Sequence, residues 1–281
     1  MKQNVTLMQD RLCAELYDYI IDFLHDDHGA LHACSLVCRA WLPASRSHLF
    51  YHLTLRASRR IFLAIHSSPH IASYVKKISV HHSWVIERDS VFPPLLNKFI
   101  YLRELEFNFF IPGSLSPKTS RSTTAFEDLC DVMSSMVLQS FTLRRFTFSS
   151  PHDFLKIVHA CREAQALQLD EVNISITHLS VSALGDLFNS TPLEKQVEIK
   201  RLLLRSASLP IIIPILLHPC SPFSFSTTTL LRTNMSTNNY DNMIQFLGCF
   251  PNLESLDLEI EPSCELLTFY PICVNNSYLF S

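Results

Sequence analysis

Glycine is scarce. The 281 residues hold four, Gly29, Gly113, Gly185 and Gly248, and no two lie close together. Phosphate-cradling loops, dinucleotide fingerprints and nucleophile elbows need glycines at short spacing, because the backbone must turn sharply or approach a ligand without a Cβ in the way. Most nucleotide enzymes are excluded on that ground. Charge is sparse too, at 17% against 47% hydrophobic residues, which fits neither disorder nor a fibrous architecture. The length suits one large domain or two ordinary ones. A long apolar run is also missing. The most hydrophobic stretch, Leu209 to Leu217, carries two prolines and falls far short of the roughly 20 residues that cross a bilayer. The first residues lead into no apolar core of signal-peptide length, so Asn-x-Ser/Thr triplets at Asn4, Asn173, Asn189, Asn234 and Asn275 read as idle. Nine scattered cysteines show no framework spacing and suit reduced thiols. The expectation is a soluble cytoplasmic or nuclear protein with no membrane partner.

No excess of either charge marks the chain, which has 23 basic and 26 acidic residues. Arg56, Arg59, Arg60, Lys76 and Lys77 precede any acidic residue before Glu87, and nothing basic follows Arg232. Both stretches read as solvated faces. Nucleic-acid binding is discounted because few stacking aromatics interleave with the basic stretch.

What is present begins with apolar periodicity. Leu12, Leu16, Ile20 and Leu24 recur every four residues, with Ile21 and Phe23 beside them, and predict a three-turn helix. Residues 25–29 predict a turn with an Asp capping a second helix. Leu31, Cys34, Val37, Cys38 and Trp41 continue the helical spacing, and Pro43 suits the first turn of a third helix. Stripes this apolar on so small a bundle imply that something else buries part of its surface.

These residues resemble an F-box. Leu12-Cys13-Ala14-Glu15-Leu16, then Ile20, Ile21 and Leu24, are similar to the family's opening Leu-Pro-x-Glu-Leu; residues 36–41 match its closing Leu-Val-Cys-Arg-x-Trp. The continuation through Phe50 is similar to F-box proteins of mushroom-forming fungi. The resemblance covers residues 8–55, with Cys13 where the family has a proline that presents a rigid apolar turn. It implies docking on the Skp adaptor of a cullin-based ubiquitin ligase. Leu12, Cys13, Leu16, Ile20, Ile21 and Leu24 would supply the first contacts, and Leu36, Val37, Cys38 and Trp41 the second. The same residues, Trp41 and Val37 especially, equally suit the bundle core.

Residues 56–281 show a weak repeat, apolar-x-x-apolar-x-apolar, starting at Val75, Leu102, Leu138, Ala164, Ile199 and Leu253, with a degraded copy at Phe225/Thr228/Leu230. Helix-like stretches lie between copies, at Phe126 to Met136, Phe154 to Cys161, Leu179 to Phe188 and Met243 to Phe250. Ser114 to Thr124 reads as an exposed loop. A short strand followed by a helix, repeated, predicts a parallel sheet with helices on its other side. The segments resemble irregular leucine-rich repeats. The expected fold is thus α plus α/β, a small helical F-box bundle followed by an irregular leucine-rich-repeat-like solenoid. The segment after Leu258 is apolar, lacks basic residues and is broken by Pro262 and Pro271. Either it folds back over the open edge or it is the end of a shortened array, and the two prolines, which break any helix long enough to cover the edge, favour the second.

Chemistry finds little support. Cys34, Cys38, His48 and His52 give C-x3-C-x9-H-x3-H, too tight for a zinc finger, and the sequence reads as metal-free and cofactor-free. His81-His82 and the His25/His28/His32 group are chance neighbours, and no nucleophile stands beside a base. The expected function is therefore non-enzymatic: the substrate receptor of a Skp–cullin–F-box ligase, binding an unidentified target through the repeats. The alternative is an interaction scaffold whose bundle recruits no ligase.

Overall fold

The computed structural model describes residues 13–55, 64, 67–81, 92–108, 120–148, 150–174, 197–205, 209–218, 221–235 and 240–260. Its N-terminal part is helical, with α1 (Ala14–Phe23), α2 (His28–Val37) and α3 (Leu42–Leu49). The Asp27 carboxylate accepts from the Ala30 amide at 2.9 Å and caps α2. Pro43 sits in the first turn of α3, where a missing N–H costs nothing. α2 stops short of the apolar spacing. Cys38 is its C-cap in an extended conformation (φ −160°, ψ 168°), and Trp41 instead occupies the N-cap of α3. The run from Leu31 to Trp41 turns a corner between two helices, which periodicity alone does not register. Ile21, Leu31, Cys34 and Ser45 are buried, and the Ser45 hydroxyl donates to the Trp41 carbonyl at 2.9 Å. His48 Nε2 lies 2.7 Å from Asp22 Oδ1 and joins α3 to α1.

Beyond Phe50 the chain alternates strands and helices. The strands are β1 (His52–Leu55), β2 (Lys77–Val80), β3 (Glu104–Asn108), β4 (Ser140–Arg144), β5 (Thr147–Phe148), β6 (Ala166–Asp170), β7 (Asn173–Ile174), β8 (Val197–Glu198), β9 (Arg201–Arg205), β10 (Phe223–Ser224), β11 (Leu230–Met235) and β12 (Ser255–Ile260). The helices are α4 (Pro69–Ala72), α5 (Phe92–Leu96), α6 (Ser120–Ser134), α7 (Pro151–Ala160), α8 (Leu209–Leu217) and α9 (Tyr240–Leu247). Eight strands form one sheet in the order β1-β2-β3-β4-β6-β9-β11-β12, and each pairing is parallel. Strand order thus follows chain order, and the architecture is mixed α/β around a large parallel sheet. Two short parallel ladders, β5 with β7 and β8 with β10, flank it.

The register repeats from strand to strand. Leu53, Ile78, Leu105, Phe141, Leu167, Leu202, Leu231 and Leu256 share one row, and Leu55, Val80, Phe107, Leu143, Leu169 and Leu204 lie in the next row but one. Nearly all are buried in one continuous core with the apolar faces of α6 to α9. A backbone device recurs with them. Two consecutive amides donate to one carbonyl of the preceding unit: Lys76 and Lys77 to Tyr51, Arg103 and Glu104 to Lys76, and so on to Glu254 and Ser255 on Thr229. Each unit therefore closes its lead-in hydrogen bonds on its neighbour rather than on water.

Several expectations need correction. The degraded copy is out of frame: register aligns Leu231 with Leu202 and Thr233 with Leu204, which makes the seventh copy Thr228/Leu231/Thr233. Both threonines are fully buried, and Thr228 satisfies its hydroxyl on the Ile199 carbonyl. The expected copy took Thr228 as its middle position and ended on Leu230, because an apolar pattern passes over Thr233. A further copy, Phe50/Leu53/Leu55, carries β1, so the sheet begins inside the segment divided off as the bundle at residue 55. α6 starts at Ser120, within the expected loop ending at Thr124. The expected helix at 179–188, residues 1–12 and the segment 261–281 lie outside the described residues. The apolar run Leu209–Leu217 is a helix despite Pro214, with Ile212, Ile213 and Ile215 buried. Among the described residues no helix is long and apolar enough to cross a membrane.

Candidate functional site

α1 is apolar on more than one side. Ile21 is fully buried, while Leu16, Tyr19, Ile20 and Phe23 are exposed, Phe23 at 82%. Those four stand at i, i+3, i+4 and i+7 and so share one helix face. At the end of α2, Leu36 and Val37 are 75% and 64% exposed. Six large apolar side chains thus face solvent on a bundle whose buried apolar residues, among those described, are Ile21, Leu31 and Cys34. Buried apolar area stabilises by about 25 cal/mol per Å², and these six side chains leave much of theirs in water.

The sequence-derived contact residues divide accordingly. Leu12 lies outside the described residues. Cys13, Leu16, Ile20, Leu36, Val37 and Cys38 are exposed, and Leu24 is half-buried. Ile21 is a core residue, which removes it from the contact set: the side chain points to the bundle interior, not to the surface. Val37, which equally suited the core, is outside it. Trp41 is half-buried, its ring 5.7 Å from that of Tyr17, and its carbonyl accepts from the Ser45 amide and hydroxyl. Tyr19 was missed, although its i+3 relation to Leu16 on an already apolar helix was legible.

A second surface lies on the solvent side of the sheet. One chain of ion pairs joins Lys77 to Glu104 (3.7 Å) and Glu106 (3.8 Å), Glu106 to Arg144 (3.5 Å), and Arg144 to Asp170 (3.8 Å). Two separate pairs stand toward the other end, Arg232 with Asp257 at 2.9 Å and Arg205 with Glu259 at 3.3 Å. Between them is an open hollow of about 470 Å³ that spans six consecutive strands, β3 to β12 in sheet order; Ser140, Ala166, Arg201, Leu203 and Leu230 are among its lining residues.

No family model matches the chain, and no curated protein matches it.

The thiols offer no nucleophile in the core. Burial pushes Cys130 up to about 12 and Cys161 well above the ordinary thiol value, so neither forms thiolate near neutrality. The four residues weighed as a zinc set do not converge. Cys34 is buried, whereas Cys38 is exposed, contrary to its expected place on a helix's apolar side; His48 is held by Asp22, and His52 Nε2 lies 2.8 Å from Ser79 Oγ. Among the described residues no group of three or more His, Cys, Asp or Glu is placed to hold a metal ion.

Proposed function

We propose that this chain is a substrate receptor of the Skp–cullin–F-box type, with an F-box bundle at residues 13–50 and an irregular leucine-rich-repeat-like solenoid after it. The observation that carries the reading is the unburied apolar surface of the bundle: Leu16, Tyr19, Ile20 and Phe23 on α1, and Leu36 and Val37 at the end of α2. Surface of this kind on a unit of three short helices is a partner surface. The chain-ordered parallel sheet supports the repeat reading, because a sheet whose strand order follows chain order builds a quasi-one-dimensional array. The mechanism is proximity: the receptor contributes no reacting group and raises the effective concentration of target lysines near a ubiquitin-loaded enzyme.

The test uses side chains already exposed in the free chain. Leu16→Asp with Ile20→Asp leaves the fold intact, because neither residue is core, and places two charges where the adaptor must desolvate them. Each such burial costs several kcal/mol, so capture of the Skp adaptor from solution is lost while the thermal transition is unchanged. Undiminished capture refutes the docking assignment. A second reading, a scaffold that recruits no ligase, draws on Cys13 in place of the family's proline; it expects no adaptor capture even by the unmodified chain.

A further inference from the structure

The charged lining of the hollow is balanced, Arg201 and Arg232 against Glu104 and Asp257, but the lead-in row to which its Gln139 belongs carries cations beside it. At the lead-in and first residues of β2, β3, β4, β6 and β9 the chain places Lys76, Lys77, Arg103, Lys200 and Arg201 with one carboxylate, Glu104. Glu104 is already engaged, by Lys77 and by the Tyr51 hydroxyl at 3.2 Å. Lys76, Arg103, Lys200 and Arg201 are exposed and make no ion pair among the described residues. At the far end Asp257 is neutralised by Arg232. The floor between is low and partly apolar, formed by Ser140, Ala166, Leu203 and Leu230.

Exposed cations with no ion-pair partner among the described residues, beside a partly apolar floor, suit carboxylates spaced along a chain that also carries an apolar side chain. We propose that this hollow binds an extended acidic segment of a target protein, with carboxylates on Arg201 and the basic lead-in residues and an apolar side chain over Leu203 and Leu230. Six strands span roughly 24 Å, the reach of about seven extended residues. A nucleic acid fits less well, because no aromatic side chain lines the hollow for bases to stack on. The role as a target site rests on the receptor reading; the binding chemistry stands without it.

The experiment measures fluorescence polarisation of a labelled octapeptide of alternating glutamate and leucine with the full chain. Binding is expected, weakening as salt is raised, with Arg201→Glu and the pair Arg103→Glu/Lys200→Glu each lowering affinity by about tenfold or more. The corresponding lysine–leucine peptide is expected not to bind. Arg201→Gln, checked by its unchanged thermal transition, guards against a folding artefact and lowers affinity less than Arg201→Glu. Equal binding of the lysine peptide, indifference to both charge reversals, or tighter binding of a single-stranded octanucleotide at the same site overturns the proposal. Adaptor capture on the same samples separates the two ideas. Capture without peptide binding overturns this inference alone, and peptide binding without capture overturns the receptor reading alone.

Discussion

Cys13 departs from the F-box pattern in chemistry but not in backbone shape. Its φ of −65° and ψ of 153° are the angles a proline would hold at the N-cap of α1. None of the backbone hydrogen bonds among the described residues uses its N–H. Cys13→Pro therefore suits the site and is expected to raise stability by about 0.4–1 kcal/mol through the unfolded chain, and to tighten adaptor capture. Denaturant melts and capture titrations check both; a destabilised variant would show that the N–H has work to do. His52 is a second informative residue. Burial first, and the Lys77 ammonium next, hold its imidazole below the ordinary histidine value, against the opposing pull of Glu106 and Glu104. The unfolded chain then binds the proton more readily than the folded one, so the contribution is complete above about pH 6.5 and is lost as the pH falls toward the folded value. Thermal transitions between pH 8 and pH 5 should drop on acidification, and His52→Gln should shrink the drop. An unchanged drop assigns it elsewhere, first to His159, which burial shifts in the same direction.

Among the elements, the bundle and the repeat unit were unequally legible. α1 and the cap of α2 follow from spacing and from Asp27, since both are local. The fate of each apolar side chain does not, because core and contact residues are chemically alike: Leu16, Ile20 and Ile21 read as one set, yet only Ile21 is buried. The repeat strands were legible wherever large apolar residues mark the register, at Ile78, Leu105, Phe141, Leu167 and Leu202. They blurred where Thr228 and Thr233 take the same places, since a buried threonine with a satisfied hydroxyl fills a valine-sized slot. The sheet hollow was not legible at all, being made of one or two residues from each of six strands far apart in sequence. Trp41 tests the bundle as an element. It occupies the N-cap position of α3 and packs its ring against Tyr17 of α1, while its backbone carbonyl, which alanine would keep, accepts two bonds from Ser45. Trp41→Ala is expected to lower bundle stability by about 3 kcal/mol without the adaptor present, read from the loss of α1–α3 helicity. Intact helicity with lost capture would make Trp41 a contact residue instead.

For the whole molecule, position along the array decides what a repeat residue contributes. Leu202 and Leu256 occupy the same register slot, two strands apart in the sheet with β11 between. Leu202 is fully buried between neighbouring units, whereas Leu256 on β12 is 39% exposed, and β12 pairs on one side alone among the described residues. Ile244 of α9, the helix that precedes β12 in the chain, is half-exposed as well. In an array each unit gains stability from both neighbours, and an end unit gains it from one. Leu202→Ala should therefore cost about 2–5 kcal/mol, while Leu256→Ala, with less area to lose and no cavity to leave, should cost less than about 1 kcal/mol. The measurement is a pair of denaturant melts, with hydrogen exchange to locate the effect. Amides of β9 should exchange slowest and those of β12 fastest, since β12 can open without breaking the rest. Equal penalties at the two sites, with β12 amides as protected as those of β9, would mean that the β12 edge is covered in solution, and that this end of the sheet is an interior position rather than a terminus.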